Sequence, residues 1–251
     1  MAIQIRDIHK SFGDNHVLRG ISSSFEPGQV SMIIGASGSG KTVLVKTIVG
    51  LLQPDSGDIF YDRLNLVKAQ PSEVRLLRNS IGMLFQSSAL FDSLNVFDNI
   101  AFPLRMFTEQ GRNEIRNRVT ECLERVRLTG TEKLMPSELS GGMKKRVGIA
   151  RAIAMNPKYL FFDEPNSGLD PQTAGVIDDL IREITRDFLA TSVVISHDMK
   201  SVMTISDKMM FLYQGEKVWE GTRPEVLTAN DQRLLDFIQT SGVNIQQFAN
   251  V

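Results

Sequence analysis

Eight consecutive residues, Gly35-Ala36-Ser37-Gly38-Ser39-Gly40-Lys41-Thr42, fit the pattern G-x-x-x-x-G-K-[ST] in full. The chemistry open to such a run is phosphate binding. Glycines let the backbone wrap closely around phosphate oxygens, with loop N–H groups pointing inward. A helix beginning after the glycines adds the positive end of its dipole. Lys41 is placed to reach the β- and γ-phosphates of a nucleoside triphosphate, and Thr42 to hold Mg²⁺. The competing reading is a glycine-rich turn without function. The run lies between a predicted strand, Val30–Ile34, and a predicted helix, which is the context a phosphate loop requires.

Two acids extend this chemistry. Asp163 and Glu164 follow the apolar run Tyr159-Leu160-Phe161-Phe162. Asp163 stands where a second contact to Mg²⁺ is needed, and Glu164 where a base could polarise the attacking water. Neighbouring strand residues face opposite ways, so the two need not share a role. Alone, such a pair reads as a strand end; a phosphate loop upstream reverses that preference. His197, after the strand Ser192–Ile195, could contact the γ-phosphate or be structural. Gln86, at the end of Ile81–Phe85, could touch Mg²⁺ or water, or satisfy a loop backbone. Ser140-Gly141-Gly142 opens a helix, with Ser140 as its cap and an N-terminus open to an anion; a plain helix cap is the alternative.

The elements that must position these groups alternate between strand and helix patterns. Ile3–Ile8 alternates apolar and polar residues, as does a strand with one wet face. Val17–Phe25 and Asp58–Tyr61 read as further strands, and helices are expected over Lys41–Leu51 and Ser72–Asn79. From about residue 87 to 156 helical patterns dominate, with Ile115, Val119, Cys122, Leu123 and Val126 forming one apolar stripe. This segment reads as a helical insertion in an α/β core. Asp170-Pro171 caps and starts a helix whose buried stripe is Val176, Ile177, Leu180, Ile181 and Ile184. Lys208–Tyr213 and Lys217–Glu220 form a hairpin around Gln214-Gly215. Leu234 to Phe248 reads as a helical tail whose apolar residues want a partner.

Bulk composition narrows the class. The chain has 251 residues, 42% of them hydrophobic, enough for a sizeable core. Lys plus Arg total 28 and Asp plus Glu 29, a net charge of −1, which argues against a broad nucleic-acid footprint. The one cysteine, Cys122, is expected to be a small buried residue, and no Cys/His spacing suits a metal. No apolar run approaches the roughly 18 residues of a membrane span, and no targeting peptide is visible before the first strand. A soluble chain is expected, reaching any membrane through a partner.

Taken together, these residues resemble the ATP-binding subunits of ABC transporters over nearly the whole chain. The phosphate loop is common to many NTPases; Ser140-Gly141-Gly142 upstream of the acidic strand is the specific part, similar to the ABC signature. The resemblance implies a single P-loop NTPase domain over residues 1–251. It would have an α/β core, an antiparallel β subdomain, a helical subdomain at about 87–156 and a tail at about 222–251. It implies ATP and Mg²⁺, with Glu164, His197, Gln86 and Lys41 catalytic, and Thr42, Gln86 and Asp163 at the metal. Phe12 resembles the aromatic that stacks on adenine, against the alternative of a small-core aromatic. Two copies would pair head to tail, Ser140 and Gly142 of one closing on the γ-phosphate held by Lys41 of the other. Ser167-Gly168-Leu169-Asp170 resembles the loop that links the two sites. Met143 stands where the family usually has Gln, putting that polar contact in doubt, and Asn166 stands where Thr or Ala is common, a change read as tolerated.

The stretch from Leu84 to Leu104, with Leu134–Glu138 and Met143, is similar to the ATPases of Mce-linked lipid systems of the Mla type. That implies phospholipid cargo and a place on the cytoplasmic face of an inner membrane. The implied partners are a transmembrane permease, a periplasmic Mce-domain protein and a STAS-domain subunit. A subset of Leu90, Phe91, Leu94, Phe97 and Phe102 is expected to form a groove for the permease. Rival classes fit less well. A DNA-repair ABC protein would need a long coiled coil before the signature, and a translation factor a second cassette. A purely regulatory subunit would be expected to lose Glu164.

Overall fold

The computed structural model describes residues 2–244 and 247. The chain begins with two long antiparallel strands, β1 (Ile3–Phe12) and β2 (Asn15–Phe25). The phosphate loop then joins β3 (Val30–Ile34) to α1 (Lys41–Ile48), and β4 (Ser56–Tyr61), β5 (Leu64–Asn65), α2 (Pro71–Asn79) and β6 (Ile81–Leu84) follow. The inserted helices are α3 (Val96–Phe107), α4 (Arg112–Arg125) and α5 (Gly141–Ile153), with a single 3₁₀ turn at Pro136–Glu138. The core resumes with β7 (Tyr159–Asp163), α6 (Pro171–Asp187), β8 (Thr191–Ile195), α7 (Met199–Ile205), β9 (Lys208–Tyr213) and β10 (Glu216–Gly221). Two short helices, α8 (Arg223–Val226) and α9 (Gln232–Thr240), close the described chain.

The strands make two sheets. One is four-stranded and antiparallel in the order β2-β1-β4-β5; the other has six strands in the order β10-β9-β3-β8-β7-β6. In the second sheet β6, β7, β8, β3 and β9 run parallel and only the edge strand β10 is antiparallel. Every residue of β3, β7 and β8 is buried, which is why these strands read as unbroken apolar runs. Ile33, Phe161, Val193 and Met210 pack with α1 against the small sheet through Ile3, Ile21 and Phe25. Met32, Phe162 and Val194, from the other face, pack with α3 to α7.

Local chemistry explains most boundaries. Asp170 caps α6 through the Gln172 and Thr173 N–H groups, with Pro171 in the first turn. The predicted stripe of α4 is buried at Ile115, Val119, Cys122 and Leu123, and burial pushes the Cys122 thiol up to about 11. Helix α1 ends at Ile48 rather than Leu51. Gly50 turns to φ 73°, and the N–H groups of Gly50 and Leu51 return to Thr47 and Lys46 carbonyls, closing the helix earlier than its apolar pattern. In the described part of the expected Leu234–Phe248 helix, α9 ends at Thr240, and it is no free element: Leu234 and Ile238 are buried, and the Phe237 ring lies 5.3 Å from Phe211. Phe248, the far end of the expected helix, lies outside the described residues. Among the described residues no helix is long and apolar enough to cross a membrane.

Candidate active site

The candidate residues converge because parallel strands point one way. Gly35 follows β3, Asp163 ends β7 with Glu164 next, His197 follows β8 by two residues, and Gln86 follows β6 by two. All therefore sit at the carboxyl edge of one sheet, where open α/β folds bind ligands. Gln86, Glu164 and His197 line a cavity of about 600 Å³ together with Ser37, Gly38, Gly40, Lys41, Thr42, Ser167 and Val17 of the small sheet, while Gly35 and Asp163 are not part of its wall.

The loop itself is held by its own backbone. Gly35 has φ 148°, and a β-carbon there would meet the Leu212 carbonyl oxygen at 2.3 Å, so only glycine passes this close to β9. Ala36, Ser37 and Gly38 face solvent, whereas Ser39 is buried. The Lys41 ammonium donates to the carbonyls of Gly35 (2.8 Å) and Ala36 (2.9 Å). Burial pushes its pKa down, opposed by the charges of Glu164 and Asp163.

Asp163 is 5% exposed and its Oδ1 is buried with no hydrogen-bond partner, while the Thr42 side chain beside it acts to lower the carboxyl's pKa. Burial pushes this carboxyl above the usual range, and the neighbouring Glu164 charge adds to the rise. An orphaned carboxylate oxygen beside a threonine hydroxyl is an oxygen-only donor set that suits a hard divalent cation. Among the described residues no group of three or more His, Cys, Asp or Glu could hold a metal unaided. A cation here would thus be shared with phosphate oxygens, as Mg²⁺ commonly is.

Glu164 adopts φ 48°, turning its side chain away from the strand path of Asp163. Its Oε2 lies 2.8 Å from His197 Nδ1; the carboxylate is 17% exposed and the imidazole 62%. A carboxylate base held by an imidazole, facing the same cavity as a phosphate-loop lysine, has the parts needed to orient a water for phosphoryl transfer.

Three predicted groups lie elsewhere. Phe12 is half exposed at the end of β1, which removes the small-core reading. Lys10 stands 5.6 Å over its ring, and the ring is not part of the cavity wall. Ser140 caps α5 by accepting from the Met143 N–H at 3.3 Å. Ser140 and Gly141 are exposed, and Gly142 is buried so close to Thr173 that a β-carbon would sit 2.4 Å from its methyl. Met143 packs partly into the helical core. The expected groove is present. None of the five apolar residues is fully buried, and Phe91 and Phe102, with rings 4.7 Å apart, line a trough of about 470 Å³ with Phe85, Pro103, Arg151 and Met155.

Sequence reading passed over Lys145, which is buried beside the site and donates to the Gln86 carbonyl. The signal was available: Gly142, Lys145, Ile149 and Ile153 share one buried helical stripe, so a lysine occupies an apolar position.

Comparison with known proteins agrees with this geometry. The family model described as ABC transporter matches residues 18–167, more than half of the chain. MlaF of Escherichia coli K12, an intermembrane phospholipid transport system ATP-binding protein, is 40% identical over 236 residues, 94% of this chain and 88% of its own length. The probable ribonucleotide transport ATP-binding protein mkl of Mycobacterium leprae is 38% identical over 238 residues, 95% of this chain and 69% of its own length. A dimeric bacterial ABC transporter cassette superposes with a TM-score of 0.81 at 28% identity, covering 88% of this chain and 98% of the other. The phosphate loop, the carboxyl-edge acids and the sheet that presents them therefore belong to an ATP-binding subunit of the ABC transporter family, an ATPase closely related to the MlaF type.

Proposed function

We propose that this chain hydrolyses ATP to power a membrane transporter whose cargo is phospholipid, with Glu164 as the general base. The observation that carries the catalytic part is the shared cavity: Glu164, held by His197 at 2.8 Å, faces the same space as Lys41 and Thr42. Loop N–H groups and Lys41 bind the phosphates, and Glu164 takes the proton of the attacking water as the γ-phosphoryl group leaves for it. Thr42 and Asp163, with Gln86 at the edge, would hold Mg²⁺, which when bound neutralises charge on the β- and γ-phosphates. Phe12 is the candidate adenine platform, its exposed ring free on one side.

The working unit is a head-to-tail pair of chains, in which Ser140 and Gly142 of one copy close on nucleotide bound by the other. A dimeric relative of the same fold supports this reading. The trough around Phe91 and Phe102 is the seat for a permease, which holds the pair at the cytoplasmic face of an inner membrane. The phospholipid reading draws on the identity to MlaF; a periplasmic Mce-domain protein and a STAS-domain subunit complete the proposed assembly. The mkl relative favours ribonucleotide as the alternative cargo.

One variant tests both parts. Glu164→Gln keeps the shape of the side chain and removes its basicity. It should bind ATP normally and slow hydrolysis by roughly 10²- to 10⁴-fold. Isolated from membranes in detergent with ATP, it should bring down a permease carrying phospholipid, identified by mass spectrometry. Hydrolysis at the wild-type rate ends the base assignment, and ribonucleotide in place of lipid ends the cargo assignment.

A further inference from the structure

Lys145 is 5% exposed, and the chemistry above gives it no part. It sits mid-helix on the buried stripe of α5, where an apolar side chain would pack without desolvating a charge. Burying an ammonium costs several kcal/mol unless it finds good partners, so its partners reveal its use. Nζ donates to the Gln86 carbonyl at 2.5 Å and to the Glu164 carbonyl at 3.1 Å. The charges of Asp163 and Glu164 offset its own.

Both carbonyls belong to residues at the candidate site, from different strands. The Glu164 carbonyl also accepts from the Ser167 N–H at 3.2 Å, and the Glu164 N–H donates to Ile195 at 3.1 Å. The Glu164 peptide groups are thus gripped on both sides while its φ stays at 48°, a conformation that a non-glycine residue holds only when its surroundings enforce it. Lys145 is the side-chain member of that grip. The helix that carries it lies hard against β6: a β-carbon on Gly148 would stand 2.6 Å from Leu84 Cδ1. The same helix starts at Ser140, so one rigid rod joins the signature to the backbones of Gln86 and Glu164.

We propose that Lys145 is a positioning residue for ATP hydrolysis, tying helix α5 to the Gln86 and Glu164 carbonyls so that the helix sets the aim of the Glu164 carboxylate. The inference rests on Glu164 being the base. Lys145→Met keeps most of the length of the side chain and removes its donors. Its kcat should fall about 10- to 100-fold, the size of effect that slight misplacement of a reacting group produces. KM for MgATP and Kd for a fluorescent ATP analogue should stay within about twofold, since Lys145 touches neither phosphate loop nor nucleotide cavity. Lys145→Arg, which keeps the donors, should recover most of the rate. On the Glu164→Gln background, Lys145→Met should cause little further loss, because it acts through the missing base.

A Lys145→Met protein with wild-type kcat overturns the proposal. So does one whose kcat and nucleotide affinity decline together, or one whose loss adds in full to that of Glu164→Gln. If Lys145→Met does not fold, Lys145→Leu, which also lacks donors, is measured in its place, and wild-type kcat in that variant overturns the proposal in the same way. Wild-type hydrolysis by Glu164→Gln would instead end the base assignment itself, a result distinct from inactive Glu164→Gln with unaffected Lys145→Met.

Discussion

Asn166 marks how much a single side chain can hide in a sequence. Read against threonine or alanine, it looked like a tolerated change. In the fold its amide donates to Asp178 Oδ1 at 2.8 Å and to Ser201 Oγ at 2.9 Å; Ser201 in turn bonds Asp198 Oδ2, and the Asp198 N–H reaches Ser196 Oγ. This part-buried chain ends at Ser196, next to His197, and neither threonine nor alanine could make both amide bonds. Burial pushes the Asp178 carboxyl above its usual range, against the lowering effect of the bonds from Ser201 and Asn166. Asn166→Ala removes one of those donors and should cost about 1–3 kcal/mol in urea denaturation at neutral pH. The sign with pH follows: the penalty falls on ionised Asp178, so it should shrink as the pH drops through the raised pKa and the carboxyl protonates. A loss that stays constant from pH 7 to pH 4 would refute this account. The stripe of α5 marks Lys145 as a cation in an apolar position, but the partners of Lys145 and Asn166 are 59 and 19, or 12 and 35, residues away, and no local pattern encodes those.

Elements were legible where local chemistry decides them. The buried parallel strands, the Asp170-Pro171 helix start and the stripe of α4 follow from apolar runs, caps and period, and each appears as read. The carboxyl-edge residues Gly35, Glu164 and His197 were legible for the same reason, since each follows such a strand. Ends set by tertiary contact were not: α1 stops early at Gly50, and α9 is fixed by burial of Leu234 and Ile238. The hairpin β9–β10 has a further anchor invisible in the sequence. Glu220 accepts from Lys208 Nζ at 2.6 Å, from Lys217 and from Ser23 of β2, joining the edge of the large sheet to the small one. Burial alone would raise its carboxyl pKa, but these hydrogen bonds outweigh it and hold the carboxyl below its usual range. A lowered pKa stabilises the fold above the unfolded carboxylate pKa, and the contribution is lost as pH falls through the folded value. Glu220→Gln should therefore lower stability by about 2 kcal/mol at pH 7, with the deficit fading as the pH falls through the lowered pKa of the folded carboxyl. A melting-temperature difference that does not change with pH would exclude the ionic part of this anchor.

At the scale of the molecule, the chain divides its own chemistry. The cavity around Lys41 is lined from the phosphate loop, Gln86, Glu164 and His197, and Ser140 is not part of its wall. Ser140 and Gly141 instead stand exposed at the start of α5, a helix N-terminus with N–H groups suited to an anion. If hydrolysis needs both, each site must be built from two chains, and a two-fold pair supplies two such sites. The division can be tested by mixing inactive proteins. Lys41→Ala removes phosphate binding from its own loop but leaves its signature intact; Ser140→Arg blocks the signature but leaves its loop intact. Each alone should be inactive, because every site in either pair contains the defect. In a mixed pair one site carries both defects and the other carries neither. Random exchange makes half of the pairs mixed, each with one intact site in two, so an equimolar mixture should regain about a quarter of the wild-type rate. Were a single chain able to complete its own site, two inactive proteins would stay inactive however they were mixed.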